Sequence, residues 1–149
     1  MRHYQCDSPE AAARVVAACL LSDGHVGANE LQALDRHGIE QRLSLRPGQF
    51  LAVMQTLCED LSSVAYLNWG DACRLDSAVV AQLASDVRDW QMRRDVIALC
   101  KEAIHADAHI SSGEARFLYL LRAAWQLPEY MDWRYPRSVI RAVRAQRVK

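Results

Sequence analysis

The chain has no apolar run near the ~18 residues that a membrane-spanning helix needs, so it is not expected to be transmembrane. Its first residues, Met1-Arg2-His3-Tyr4-Gln5-Cys6-Asp7, lack the apolar stretch of a secretory signal, and a cytoplasmic protein is the resulting expectation. No Cys-x-x-Cys occurs. The five cysteines (Cys6, Cys19, Cys58, Cys73, Cys100) are odd in number and widely spaced, which argues against a disulfide framework and against a thiolate zinc site. Cys19, Cys58 and Cys100 fall inside apolar helical patterns, where cysteine behaves as a small hydrophobe. Enzyme signatures are missing as well: no Gly-rich phosphate loop, no Gly-x-Ser-x-Gly and no His-Glu-x-x-His. The expectation is therefore a protein that is not an enzyme. No segment sustains period-2 alternation, so no strands are assigned.

What is present is enough for one globular domain with a real core: 149 residues, 51% hydrophobic and 24% charged. Net charge is zero but unevenly spread. Arg134, Arg137, Arg141, Arg144, Arg147 and Lys149 give the end of the chain +6 without an acid, so the remaining 12 cations and 18 acids leave the body at −6. The chain divides accordingly into a helical domain, residues 1–133, and a basic C-terminal helix, residues 134–149, packed on it.

Helix signals follow in order. Ser8-Pro9-Glu10 is a strong start, with a capping Ser, Pro at the first helical position and an acid in the first turn. Ala12, Val15, Val16, Cys19 and Leu20 form an amphipathic stripe that ends at Asp23-Gly24. A second helix runs from about Ala28 to Arg36 and stops at His37-Gly38. Pro47-Gly48 opens a third, with Phe50, Met54, Leu57, Leu61 and Val64 on one face. Asn68-Trp69-Gly70-Asp71 reads as loop. Helix resumes near Ser77 with Val79, Val80, Leu83 and Val87. A continuous helix from there to His105 would be ~43 Å long, too long for this domain, so a break belongs near Asp89. A new helix then carries Met92, Val96, Leu99, Cys100, Ala103 and Ile104. Another carries Phe117, Leu118, Leu121 and Trp125. Pro128 starts a short turn and Pro136 a last helix. The fold class is all-α, a compact bundle of about seven to nine helices.

One phrase occurs twice, 84 residues apart. Asp23-Gly24-His25-Val26-Gly27-Ala28-Asn29-Glu30 returns as Asp107-Ala108-His109-Ile110-Ser111-Ser112-Gly113-Glu114. Each copy joins two apolar helical patterns, which makes an internal helix-turn-helix pseudo-repeat. The pattern matches the back half of an EF-hand loop, but the first two ligand positions fall on Cys19 and Leu21, and on Ala103 and His105. Neither pair supplies side-chain oxygen, so neither copy alone is a calcium site.

Three readings of the motif stand side by side. In the first, Asp23 and Asp107 make Asx-turns, Val26 and Ile110 plug the turns into the core, and Glu30 and Glu114 sit in helix first turns. Ser111 with Glu114 is then a capping box. In the second, the copies face each other and Asp23, Glu30, Asp107 and Glu114 converge on one divalent metal ion, joined by His25 and His109 if it is a transition metal. In the third, the same acids form a surface for a protein partner.

The two turns, each between an Ala-rich helix and a Leu-bearing one, resemble the TerB-like tellurite-resistance domain. So does the continuation Phe117-Leu118-Tyr119-Leu120-Leu121 to Trp125-Gln126-Leu127-Pro128-Glu129. The resemblance covers roughly residues 11–130, with residues 44–89 matching in helical pattern only. It implies an all-helical fold of about seven helices and a cytosolic accessory role in stress or tellurium-oxyanion resistance. It further implies metal ions, protein partners in a membrane-associated complex, and no catalysis. The family's metal-binding acids map to Asp23, Glu30, Asp107 and Glu114. The chain departs from the family pattern at Ser22 and Ala108.

In the tail, Arg137, Arg141, Arg144 and Arg147 form one loose helical face beside Val139, Ile140 and Val143. One reading docks the apolar residues on the body. The other makes the chain an adaptor whose basic helix binds an anionic membrane surface or nucleic acid with a salt-dependent affinity. No sequence-reading motif supports nucleic acid, which is not expected as a partner. Trp69, Trp90, Trp125 and Trp133 are expected in the core or at its boundary. His3, His37 and His105 have no partner assignable from sequence.

Overall fold

The most apolar helix is the centre of the molecule. A computed structural model describes residues 1–63, 73, 75–106 and 110–127. Among these the helices are α1 (Pro9–Leu21), α2 (Ala28–Arg36), α3 (Ile39–Arg42), α4 (Gln49–Ser63), α5 (Ser77–Ser85), α6 (Trp90–His105) and α7 (Ser112–Ala124), with no strands. In α1, Ser8 Oγ accepts the Ala11 N–H at 3.1 Å, and Pro9 follows at the first helical position. Every residue from Ala11 to Leu21 is buried. A helix that is apolar all round has no face to give to water. Its many alanines let α4 and α6 approach closely on two sides, with α5 and α7 beside them.

Leu20, Leu34, Leu57, Leu83, Leu99 and Leu121 are fully buried in one continuous core. Each contributes ~1.5–3 kcal/mol relative to exposure. No helix among the described residues is long and apolar enough to cross a membrane.

The break expected near Asp89 is present. Asp89 Oδ1 accepts the Met92 N–H at 2.8 Å and caps α6. The Asp7 carboxylate holds the same junction by accepting the Arg88 and Asp89 N–H groups at 2.5 and 2.8 Å. These two backbone donors keep its carboxyl below the usual range. The stop at His37-Gly38 is also present, and Gly38 takes the left-handed φ of +65° that favours glycine. That glycine leads directly into α3, whose four residues are too few to show a period.

Arg14 is the exception in α1. It is 1% exposed, and its guanidinium pairs with Asp86 at 2.6 Å. It also donates to the Arg2 carbonyl and lies 4.9 Å over the Tyr4 ring. One buried cation thus ties the N-terminal segment to the end of α5.

Two expectations need correction. Trp90 is 54% exposed rather than core or boundary, because at the first position of α6 its side chain tilts past the end of the packed stripe. Trp125 is buried as expected, and its Nε1–H donates to the Ala84 carbonyl at 2.8 Å. Val26 and Ile110 pack on the core but are half-buried rather than buried, since a connecting turn keeps one side in water. Trp69, Trp133, the loop at Asn68–Asp71 and the basic segment 134–149 lie outside the described residues.

Candidate functional site

The repeated phrase is repeated structure. α1 ends at Leu21 and α6 at His105, while α2 begins at Ala28 and α7 at Ser112. Both pairs keep the 84-residue offset. The two units interlock: α2 packs on α6, and α7 packs on α1, so each unit's second helix lies on the other's first.

In the first turn, Asp23 Oδ1 accepts the His25 N–H at 2.9 Å, the Asx-turn expected from the sequence. Gly24 follows with a φ of +83°. Glu30 Oε2 then accepts the Gly27 N–H at 2.6 Å. Gly27 has no hydroxyl to answer, so only half of a capping box is made there. The second turn makes both halves: Glu114 Oε2 accepts the Ser111 N–H at 2.8 Å, and Ser111 Oγ accepts the Glu114 N–H at 3.1 Å. Each glutamate therefore folds back over its own helix N-terminus, toward the orphan donors and the positive end of the dipole.

Gly113 brings the two turns together. A Cβ at this position would lie 2.8 Å from the Ser22 carbonyl carbon and 3.0 Å from the Asp23 Cα, both backbone atoms that cannot swing away. The first turn of α7 thus rests directly on the chain leaving α1. At this contact Glu30 and Glu114 are 6% and 4% exposed, with their carboxyl groups in hydrogen-bonding contact.

Two buried carboxyls in contact cannot both stay ionised at low cost. Glu30 is pushed up to about 7, first by burial, then by Glu114 against it and by Asp23; the Gly27 N–H pulls the other way. When protonated, Glu30 donates to Glu114 while still accepting from Gly27. Beneath the pair, the buried Cys19 thiol of α1 meets Cys100 of α6, both unoxidised. Contact with Cys100, burial and the nearby glutamates push the Cys19 thiol well up, so it stays a neutral thiol.

Of the residues named from sequence, the structure brings Glu30 and Glu114 together and places Asp23 near Glu30. His25 is exposed and contributes its backbone N–H to the Asx-turn. Asp107, His109, Arg137, Arg141, Arg144 and Arg147 lie outside the described residues. Among the described residues, no group of three or more metal-binding side chains gathers. Glu30 and Glu114 alone fall short of the 6–8 oxygens calcium takes.

Sequence reasoning missed a second cluster. Arg42 of α3 donates to Glu102 Oε2 of α6 at 2.7 Å and lies 4.0 Å from Asp95; His37 Nδ1 is 3.6 Å from the same Glu102 oxygen. The spacing of α3 residues to α6 residues carries no local signal that could have paired them. No family model, curated protein or solved structure matches this chain.

Proposed function

We propose that this protein is a TerB-like, non-enzymatic helical interaction module of the cytoplasm. Its two interlocked turns form the part that responds to small cations. The observation that supports this reading is the contact of Glu30 and Glu114, one acid from each copy, buried at the crossing of the turns. In this reading a proton fills the gap between them at low pH. At higher pH a divalent ion competes for the same two carboxylates, with Asp23 and Asp107 as the further acids implied by the family resemblance. Binding would tighten or loosen the crossing, and hence the surface offered to a protein partner in a stress-related complex.

The test is thermal unfolding of the full chain after chelator treatment, with and without Ca2+, Mg2+, Mn2+ or Zn2+, at pH 5.5 and pH 8. An ion that binds only the folded state raises Tm by mass action, and more at pH 8 than at pH 5.5 because the proton is then absent. Glu30→Gln and Glu114→Gln should each remove the effect. If no ion shifts Tm at either pH, the divalent part of the reading fails.

A further inference from the structure

The repeat is unequal in one place, and a cleft opens there. By the 84-residue offset, Asn29 stands where Gly113 stands in the other copy, and Ala106 stands where Ser22 does. Gly113 allows α7 to close onto the Ser22 backbone. Asn29 carries a side chain, so α2 keeps its distance from the end of α6. Asn29 and Ala106 both line the resulting cleft of about 570 Å³. That volume is within the ~300–1,000 Å³ typical of small-ligand sites.

The walls carry cations. Arg36 and His37 come from the end of α2, and Lys101 and His105 from the last turns of α6. The one acid in the lining, Glu102, is engaged from behind by Arg42 at 2.7 Å. Its charge is therefore largely answered before a ligand arrives, which leaves Arg36 and Lys101 facing the opening. The Gln32 side-chain oxygen accepts from Arg36 and holds the guanidinium on this wall. A fork of guanidinium N–H groups beside an ammonium suits an oxyanion, which takes several charge-assisted hydrogen bonds at once.

We propose that the cleft between α2 and α6 binds the phosphate or carboxylate group of a small soluble molecule. The site is separate from the Glu30–Glu114 contact and stands or falls independently of it.

Amide spectra of the isotope-labelled full chain, titrated at constant ionic strength with inorganic phosphate and, separately, succinate, test this. Saturating shifts confined to residues such as Ala33, Arg36, Lys101 and Ala106 are expected with at least one probe, and the responding probe identifies the group. The double variant Arg36→Gln, Lys101→Gln should weaken binding about tenfold or more, the scale of one charge-assisted hydrogen bond. Arg36→Gln alone, on an exposed helix face, serves as the second variant should the double one fail to fold. Shifts that never saturate with either probe, that chloride reproduces, or that persist in the variant would overturn the proposal.

Discussion

Replacing Glu30 by glutamine should change how stability depends on pH rather than simply lower it. Glu30 sits at about 7 in the fold against an ordinary 4.5. A carboxyl raised in this way favours folding while it is protonated. Its contribution is fully present below pH 4.5 and is lost as pH rises through 7. The span of the shift corresponds to at most about 3 kcal/mol, with a slope near −1.4 kcal/mol per pH unit between roughly pH 5 and 7.

Glutamine is neutral at every pH. Its carbonyl can still accept the Gly27 N–H, and its amide can donate to Glu114 as the protonated acid does. The variant should match the wild type near pH 5 and exceed it at pH 8 by about 1–3 kcal/mol. Urea unfolding of both proteins at pH 5, 6, 7 and 8 reads the difference directly, and groups common to both cancel. Parallel profiles, or a wild-type protein that gains on the variant as pH rises, would refute the shared-proton argument.

Three further outcomes follow from contacts described above. Gly113→Ala should cost about 1–3 kcal/mol in chemical unfolding, since its Cβ meets the Ser22 backbone. The same change at exposed Ala124 is no test because it is already alanine there; Ser112→Ala, adjacent and exposed, is the control and should be near neutral. Asp86→Ala strands the Arg14 guanidinium at 1% exposure and should lower stability by about 3 kcal/mol, read from the urea midpoint. Ser111→Ala removes one half of the capping box and should cost about 1 kcal/mol, leaving the Glu114 bond to the Ser111 N–H in place.

Much of the fold was legible because its punctuation is chemical and local. Ser8-Pro9 starts α1, Asp89 divides what would otherwise be one long helix, and Gly38 ends α2. The 84-residue repeat carried further: it pointed to Glu30 and Glu114 as residues that meet. Their burial was not legible, since acids in a helix first turn are ordinarily solvated. Arg14 likewise reads as an interruption in an apolar stripe, and only the distant partners Arg2, Tyr4 and Asp86 account for it. The meeting of Cys19 with Cys100, and of Arg42 with Glu102, depends on how helices cross, which no local period encodes.

The interlocked pairing has a consequence for how the protein is made. α1 leaves the ribosome early, yet the helices that cover it, α6 and α7, are encoded some 70 residues or more downstream. A nascent chain halted after α4 would present one side of a wholly apolar helix with nothing to lie against it. Contacts so distant in sequence also slow the search for the native arrangement, and exposed apolar surface invites association in the interval. For this molecule the interval between the emergence of α1 and that of α7 is when a chaperone would matter most.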